Sequence, residues 1–198
     1  MLLQERAGPL ADNQRKLLEE AEKSCGRLST LIGEMSELGQ LLNGRQALAA
    51  NTTDLAVLLR EVEANIPAAE DQARVVVEPG GEALIVAGDS ARLRRVIESV
   101  IFALRREVID ESELIVSAAS RPKNEGRAAW ITFGPPAVAA ALRAASADSL
   151  GPFDEWRGGC GLALPLARQV IEMHGGRLFA LTGERQKAGG VVELPLID

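Results

Sequence analysis

The chain has 198 residues, of which 46% are hydrophobic and 25% charged, a composition that predicts one or two globular domains with a substantial core. Its net charge of −6 argues against general polyanion binding, and its 3% aromatic content, with no tyrosine, argues against stacking on single-stranded nucleic acid. Two cysteines, Cys25 and Cys160, are too few for a disulfide framework, and no apolar run reaches about 18 residues. We therefore expect a cytoplasmic segment without membrane contact, which could belong to a longer membrane-anchored chain.

The first fifty residues are predicted to form a helical region. Residues 2–6 could be the end of one helix, broken at Gly8-Pro9, and a second helix is expected from Asn13 to about Leu42. Apolar residues recur there at steps of three and four, as in a heptad seam that dimerises. This apolar stripe consists of Leu18, Ala21, Cys25, Leu28, Ile32, Met35 and Leu42. A second stripe widens it toward a four-helix arrangement: Leu17, Leu31, Leu38 and Leu41. One long helix packed on its own domain is the alternative.

A linker at 49–53 separates this region, residues 1–50, from a second domain, residues 51–198. The helices expected in that domain are 55–65, capped by Asp54, then 91–108, capped by Asp89-Ser90, an alanine-rich helix after Pro135-Pro136, and a glycine-rich loop with its helix over 158–176. The strands are expected in pairs, namely 74–78 with 83–87, 113–118 with 127–133, and 177–181 with 191–195. Because the strand pairs alternate with helices, the sequence predicts an α+β sandwich.

This order of elements resembles the catalytic core of bacterial sensor histidine kinases. The motifs that carry the resemblance are RLRRVI at 92–97, GCGLAL at 159–164 and VIEMHGG at 170–176. It implies a helical hairpin with a partial first helix, followed by an ATP-binding domain of the GHKL type (the Bergerat fold). It further implies two-component signalling, a homodimer formed through the hairpin, and a response-regulator receiver domain as partner.

Three positions depart from the nucleotide-binding pattern that the resemblance implies. Ala103 stands where the family carries the asparagine that binds Mg²⁺, and Ser99 stands where a further asparagine is common. Thr132 takes the place of the aspartate that accepts a hydrogen bond from adenine. A methyl group offers Mg²⁺ no oxygen, and a hydrogen bond lost from a charged group costs about 1.5–3 kcal/mol. We expect ATP affinity to fall by about one to two decades from the lost aspartate alone.

The glycine-rich loop is the part of the nucleotide pattern that remains. Gly159, Gly161 and Leu162 precede a helix, where backbone N–H groups can approach phosphates, although Ala163 replaces a glycine of the family. The alternative interpretation is a tight entry into a packed helix, with Gly175 as its C-terminal cap.

The single histidine does not supply a phosphoacceptor. His174 lies at the end of the last predicted helix, where a cation interacts favourably with the helix dipole. The phosphoacceptor therefore either lies upstream of Met1 or is absent.

Arginines line one side of the third predicted helix of the chain, at 91–108. At 100° per residue Arg92, Arg95 and Arg106 share a side with Ser99 and Ala103, opposite the buried stripe. This arginine strip is either a solvated face with local partners such as Glu98 and Glu107, or a surface for an acidic partner or an anion.

Two functions follow as expectations. The first is a two-component signalling protein with a degenerate dimeric core, without catalytic residues, metal or expected cofactor, that docks a response regulator. The second is a divergent but active kinase that uses Mg-ATP to phosphorylate a histidine upstream of this chain. An anti-sigma kinase of the same superfamily is disfavoured by the long heptad helix.

Overall fold

A computed structural model describes residues 2–5, 8–44, 49, 51–68, 72–78, 80–108, 110–123, 126–159, 161–181 and 189–197. The helices are α1 (Asp12–Leu42), α2 (Leu55–Asn65), α3 (Ser90–Arg105), α4 (Pro136–Ala144) and α5 (Ala163–Met173). The strands are β1 (Thr52–Asp54), β2 (Arg74–Val77), β3 (Ile85–Ala87), β4 (Glu113–Pro122), β5 (Arg127–Gly134), β6 (Leu150–Pro152), β7 (Arg177–Leu181) and β8 (Gly190–Pro195). Cys160, residues 45–48 and residue 50 of the predicted linker lie outside the described residues.

Side-chain caps set the helix starts that the sequence predicts. Asp54 accepts a hydrogen bond from the backbone N–H of Ala56 at 2.8 Å, and Asp89 accepts one from Arg92 at 3.1 Å. Gly175, with φ of +70°, follows the end of α5. At the amino terminus, residues 2–5 form a hydrogen-bonded turn rather than the end of a helix.

Six strands form one sheet in the order β2-β4-β5-β8-β7-β6, and β1 and β3 form a separate pair. The predicted antiparallel pairs β4–β5 and β7–β8 are confirmed. The predicted pair at 74–78 and 83–87 is wrong, because β2 runs parallel to β4 and β3 runs antiparallel to β1. The two strands are connected by residues 78–84, and this connection is longer than the short loops that enforce a hairpin. β1 occupies the predicted linker, where the Thr53 hydroxyl donates to the Gly88 carbonyl oxygen at 3.3 Å.

Helices cover both faces of the six-stranded sheet. α2, α3 and α5 enclose the main hydrophobic core on one face, whereas α4 covers a smaller cluster on the other. Successive residues of β5 alternate between these faces. Ile131 and Phe133 point into the main core, while Trp130 points to α4 and its Nε1 donates to the Leu142 carbonyl oxygen at 3.3 Å. The predicted α+β sandwich is therefore confirmed.

The carboxyl-terminal half of α1 packs on the sandwich. Leu41 is buried in the main core and Leu38 packs against its edge. These residues of the second predicted stripe thus face their own chain, which leaves less apolar surface for a bundle than the sequence analysis expects. No helix within the described ranges combines the length and apolarity needed to span a bilayer.

Candidate functional site

Thr132 and Ala103, which we call the substituted pair, lie on opposite faces of the sheet. Thr132 follows Trp130 by two residues and is paired in register with Val191, so its side chain lies on the α4 face. Ala103 belongs to α3 and to the main core on the other face. Both side chains are 0% exposed. The structure therefore does not bring these two predicted site residues into one pocket.

The hydroxyl of Thr132 already has a partner inside the sheet. Its Oγ1 lies 2.8 Å from Oγ of Ser117, the residue opposite it on β4. On the other face of β5 the neighbouring position is filled by Phe133, whose side chain is fully buried. An adenine placed between α3 and the sheet would therefore meet a phenyl ring rather than a hydrogen-bond acceptor.

Residues 157–159 cover the C-terminal end of α3, the part of the helix that carries Ala103. The guanidinium of Arg157, with 5% of its side chain exposed, pairs with Glu107, its Nε lying 3.0 Å from Oε2. The same guanidinium carbon lies 4.8 Å from the ring centroid of the buried Phe153. Arg106 donates to the Gly159 carbonyl oxygen at 3.2 Å. Sequence reasoning placed Glu107 with the arginine strip and missed Arg157, although its position beside the glycine loop was a usable signal.

The glycine loop, defined as Gly159, Gly161 and Leu162, lies at the surface beside α1. Gly159 and Gly161 have φ of +59° and +62°, a region that side chains disfavour. A Cβ on Gly161 would lie 2.9 Å from Cδ2 of Leu31. The backbone N–H of Leu162 donates to Oε2 of Glu34 at 3.3 Å. The N-terminal side of α5 thus holds a carboxylate from the same chain, where the resemblance would place a phosphate.

The arginine strip is divided among local partners. Arg92 pairs with Asp89 at 3.5 Å, and Arg95 Nη1 lies 3.0 Å from Oε2 of Glu37 on α1. Arg106 contacts the glycine loop instead. Ser99 donates back to the Arg95 carbonyl oxygen at 2.7 Å. The strip is therefore not one continuous free surface.

Two openings separate α1 from α3. A cavity of about 40 Å³ is lined by Glu34, Glu37, Arg95, Ser99 and Ala163 among others. A groove of about 510 Å³ opens beside it, between Gly33 and Gln40 of α1 and the start of α3. The cavity is far below the roughly 300–1,000 Å³ of typical ligand pockets. With α1 in this position, this cavity is too small to enclose a nucleotide.

His174 has a structural role rather than that of a cation at a helix end. Its Nδ1 donates to the Val170 carbonyl oxygen at 2.7 Å, and its Nε2 accepts from the backbone N–H of Asp89 at 3.1 Å. A Cβ on Gly88 would lie 2.2 Å from the ring, which shows how closely this turn packs on the histidine.

The apolar stripe of α1 is largely uncovered in the single chain. Leu28, Ile32, Met35 and Leu42 are between 59% and 68% exposed. Ala21 and Cys25 are also exposed, and Leu18 is half-buried. This face is separate from the one that carries Leu38 and Glu34 onto the sandwich, since the two faces lie about a quarter of a turn apart at 100° per residue.

The residues present do not fit a magnesium nucleotide in the manner that the resemblance implies. Ala103 offers no ligand oxygen, and Thr132 lies on the far face of the sheet. Within the described part of the chain, no group of three or more His, Cys, Asp or Glu side chains is arranged to hold a metal ion.

Comparisons with known proteins show which proteins this chain is similar to. No protein-family model matches the chain. It is 23% identical over 198 residues to the alginate biosynthesis sensor protein KinB of Pseudomonas aeruginosa, covering 98% of this chain and 33% of KinB. Full-length ShkA in complex with AMPPNP matches with a TM-score of 0.68 and 18% identity, over 98% of this chain and 41% of ShkA. The Acinetobacter baumannii histidine kinase AdeS matches with a TM-score of 0.64 and 18% identity, over 100% of this chain and 94% of AdeS.

The chain therefore has the fold of the histidine kinase structures that it matches, a long helix followed by an α/β sandwich. The resemblance seen in the sequence is confirmed at the level of fold. The chain spans about a third of the length of the curated relative it matches.

Proposed function

We propose that this chain is the dimeric core of a two-component signalling protein in which residues 51–198 have lost the capacity to bind ATP. One observation carries the proposal: the substituted pair lies on opposite faces of the sheet, with Thr132 hydrogen-bonded to Ser117. A nucleotide cannot be gripped by two residues that share no cavity. The domain then serves as a scaffold, and the helical region, residues 1–50, docks a response-regulator receiver domain.

The apolar stripe of α1 supports the dimer. Four large apolar side chains at heptad-like spacing remain mostly exposed in the single chain, which is a large uncovered apolar surface for one helix. A different side of α1 is already covered by its own sandwich through Leu38 and Leu41. One helix can therefore contact a second copy and its own domain at the same time.

Calorimetric titration with ATP, with and without Mg²⁺, tests the loss of nucleotide binding. We expect no saturable heat at millimolar nucleotide, because Thr132 and Ala103 do not supply the adenine acceptor and the metal ligand that the resemblance implies. Circular dichroism of the same sample confirms that the protein is folded. Micromolar binding that requires Mg²⁺ would contradict the proposal and establish the second candidate described below.

Light scattering tests the dimer. Replacing Ile32 with Glu places a charge in the centre of the apolar stripe, and we expect the variant to become a monomer at micromolar concentration. Thr30→Glu adds the same charge at an exposed position of α1 that points away from the apolar stripe, and serves as the matched control, which should stay dimeric. A dimeric Ile32→Glu protein would remove the stripe as the interface.

The second candidate is a divergent active kinase that transfers the γ-phosphoryl group of ATP to a histidine upstream of this chain. The observation that favours it is the glycine loop, whose Leu162 N–H does bind an anionic group in this structure. The solved structure of ShkA contains AMPPNP, which shows that this overall fold can hold a nucleotide in that protein.

A further inference from the structure

The contact between α1 and the glycine loop combines two carboxylates with two sites that favour anions. Glu34 accepts from the backbone N–H of Leu162, at the N-terminal end of α5, where the helix dipole attracts negative charge. Glu37 accepts two hydrogen bonds from Nη1 of Arg95, at 3.0 Å and 3.2 Å. Because the two glutamates are three residues apart, they lie on the same side of α1.

The packing around these bonds fixes α1 at this position. Leu31 lies directly over Gly161, and Glu34 Oε2 would lie 3.6 Å from a Cβ placed on that glycine. Only a glycine allows the helix to approach the loop so closely. The side chain of Glu37 is 20% exposed, so its charge is partly withdrawn from water by the contact.

We propose that Glu34 and Glu37 form an acidic latch, which holds α1 on the anion-binding surface made by the glycine loop and Arg95. The latch must release before this surface can accept an external anion, so α1 and the anion compete. Release also frees α1 to change its angle to the sandwich, which gives the helical region and the domain a two-state contact. The latch depends on the contacts described here and not on whether the domain binds ATP.

Amide hydrogen exchange measured by NMR tests the contact directly. In Glu34→Ala/Glu37→Ala we expect the Leu162 amide hydrogen to exchange about tenfold faster, since it loses a charged acceptor. The matched control is Glu19→Ala/Glu22→Ala, which removes two exposed glutamates at the same spacing on the same helix and changes the net charge equally. The control should leave the Leu162 exchange rate unchanged.

Titration with inorganic tripolyphosphate at low salt tests the competition. We expect the latch variant to bind about fivefold more tightly than the wild type, and the control variant to gain less than about twofold. Adding Arg95→Gln to the latch variant should cancel the gain. An unchanged Leu162 exchange rate, or an equal gain in affinity in both double variants, would overturn the proposal. A negative ATP titration leaves these outcomes unaffected, because tripolyphosphate contains neither adenine nor a metal.

Discussion

The substituted pair and the glycine loop belong to one expected nucleotide site, yet the substituted pair is buried and the glycine loop lies at the surface. Thr132 and Ala103 are fully buried, separated by the sheet, and surrounded by their own chain. Gly159 and Gly161 keep the backbone conformation of an exposed loop, and Leu162 binds a carboxylate. Where the sequence departs from the kinase pattern, the space has closed. Where it keeps the pattern, an anion-binding surface remains.

This contrast indicates that recognition of the base and attraction of the phosphates are separable properties of the fold. Reading adenine requires one acceptor at one position, and burial on the wrong face removes it completely. Attracting an anion requires only backbone N–H groups at a helix start and nearby cations, which many sequences supply. The two properties can therefore be lost independently, and we propose that the more demanding one is lost here.

The largest effect is expected where residues 157–159 cover the end of α3. Arg157→Met removes the charge that pairs with Glu107 at this place, which leaves Glu107 with a partly buried unpaired charge. We therefore expect a loss of about 2–3 kcal/mol in the free energy of unfolding. Urea denaturation measures it. The matched control is Arg127→Met, which breaks the exposed pair with Glu82 and should cost less than about 1 kcal/mol. Similar losses in both variants would mean that the buried pair does not fasten this segment.

Much of the fold follows from local sequence signals. The caps Asp54 and Asp89 set the starts of α2 and α3, and the hydrophobic periodicity gave α1 within a residue of its ends. The error over 74–87 has a different origin. Whether two neighbouring strands pair with each other or with distant strands depends on the whole sheet. Here β2 pairs with β4, which follows α3 in the chain. β6, three residues ending in Pro152, carries too little pattern to be predicted.

The site was less predictable than the fold. A helical wheel places Ala103 beside Arg95 and Arg106, and it cannot show that residues 157–159 fold over that end of α3. The position of Thr132 was open to sequence reasoning, because alternation along β5 assigns it to the face of Trp130. Alignment to the kinase motif instead assigns Thr132 to the nucleotide site. The contact of Glu34 with Leu162 joins residues 128 positions apart, and no local pattern indicates it.

A smaller effect is expected at the glycine loop, where two glycines with the same backbone conformation differ in their surroundings. Gly159→Ala meets open space, so only its positive φ opposes the new side chain, at a cost of about 1 kcal/mol. Gly161→Ala carries the same strain and also pushes against Leu31, which adds about 0.5–1 kcal/mol if that side chain must leave its rotamer. Urea denaturation gives both values, and the Leu162 amide should exchange faster in Gly161→Ala alone. Equal losses of unfolding free energy and equal exchange rates in the two variants would show that α1 does not press on the glycine loop. The contrast between the substituted pair and the glycine loop would then rest on the substituted pair alone.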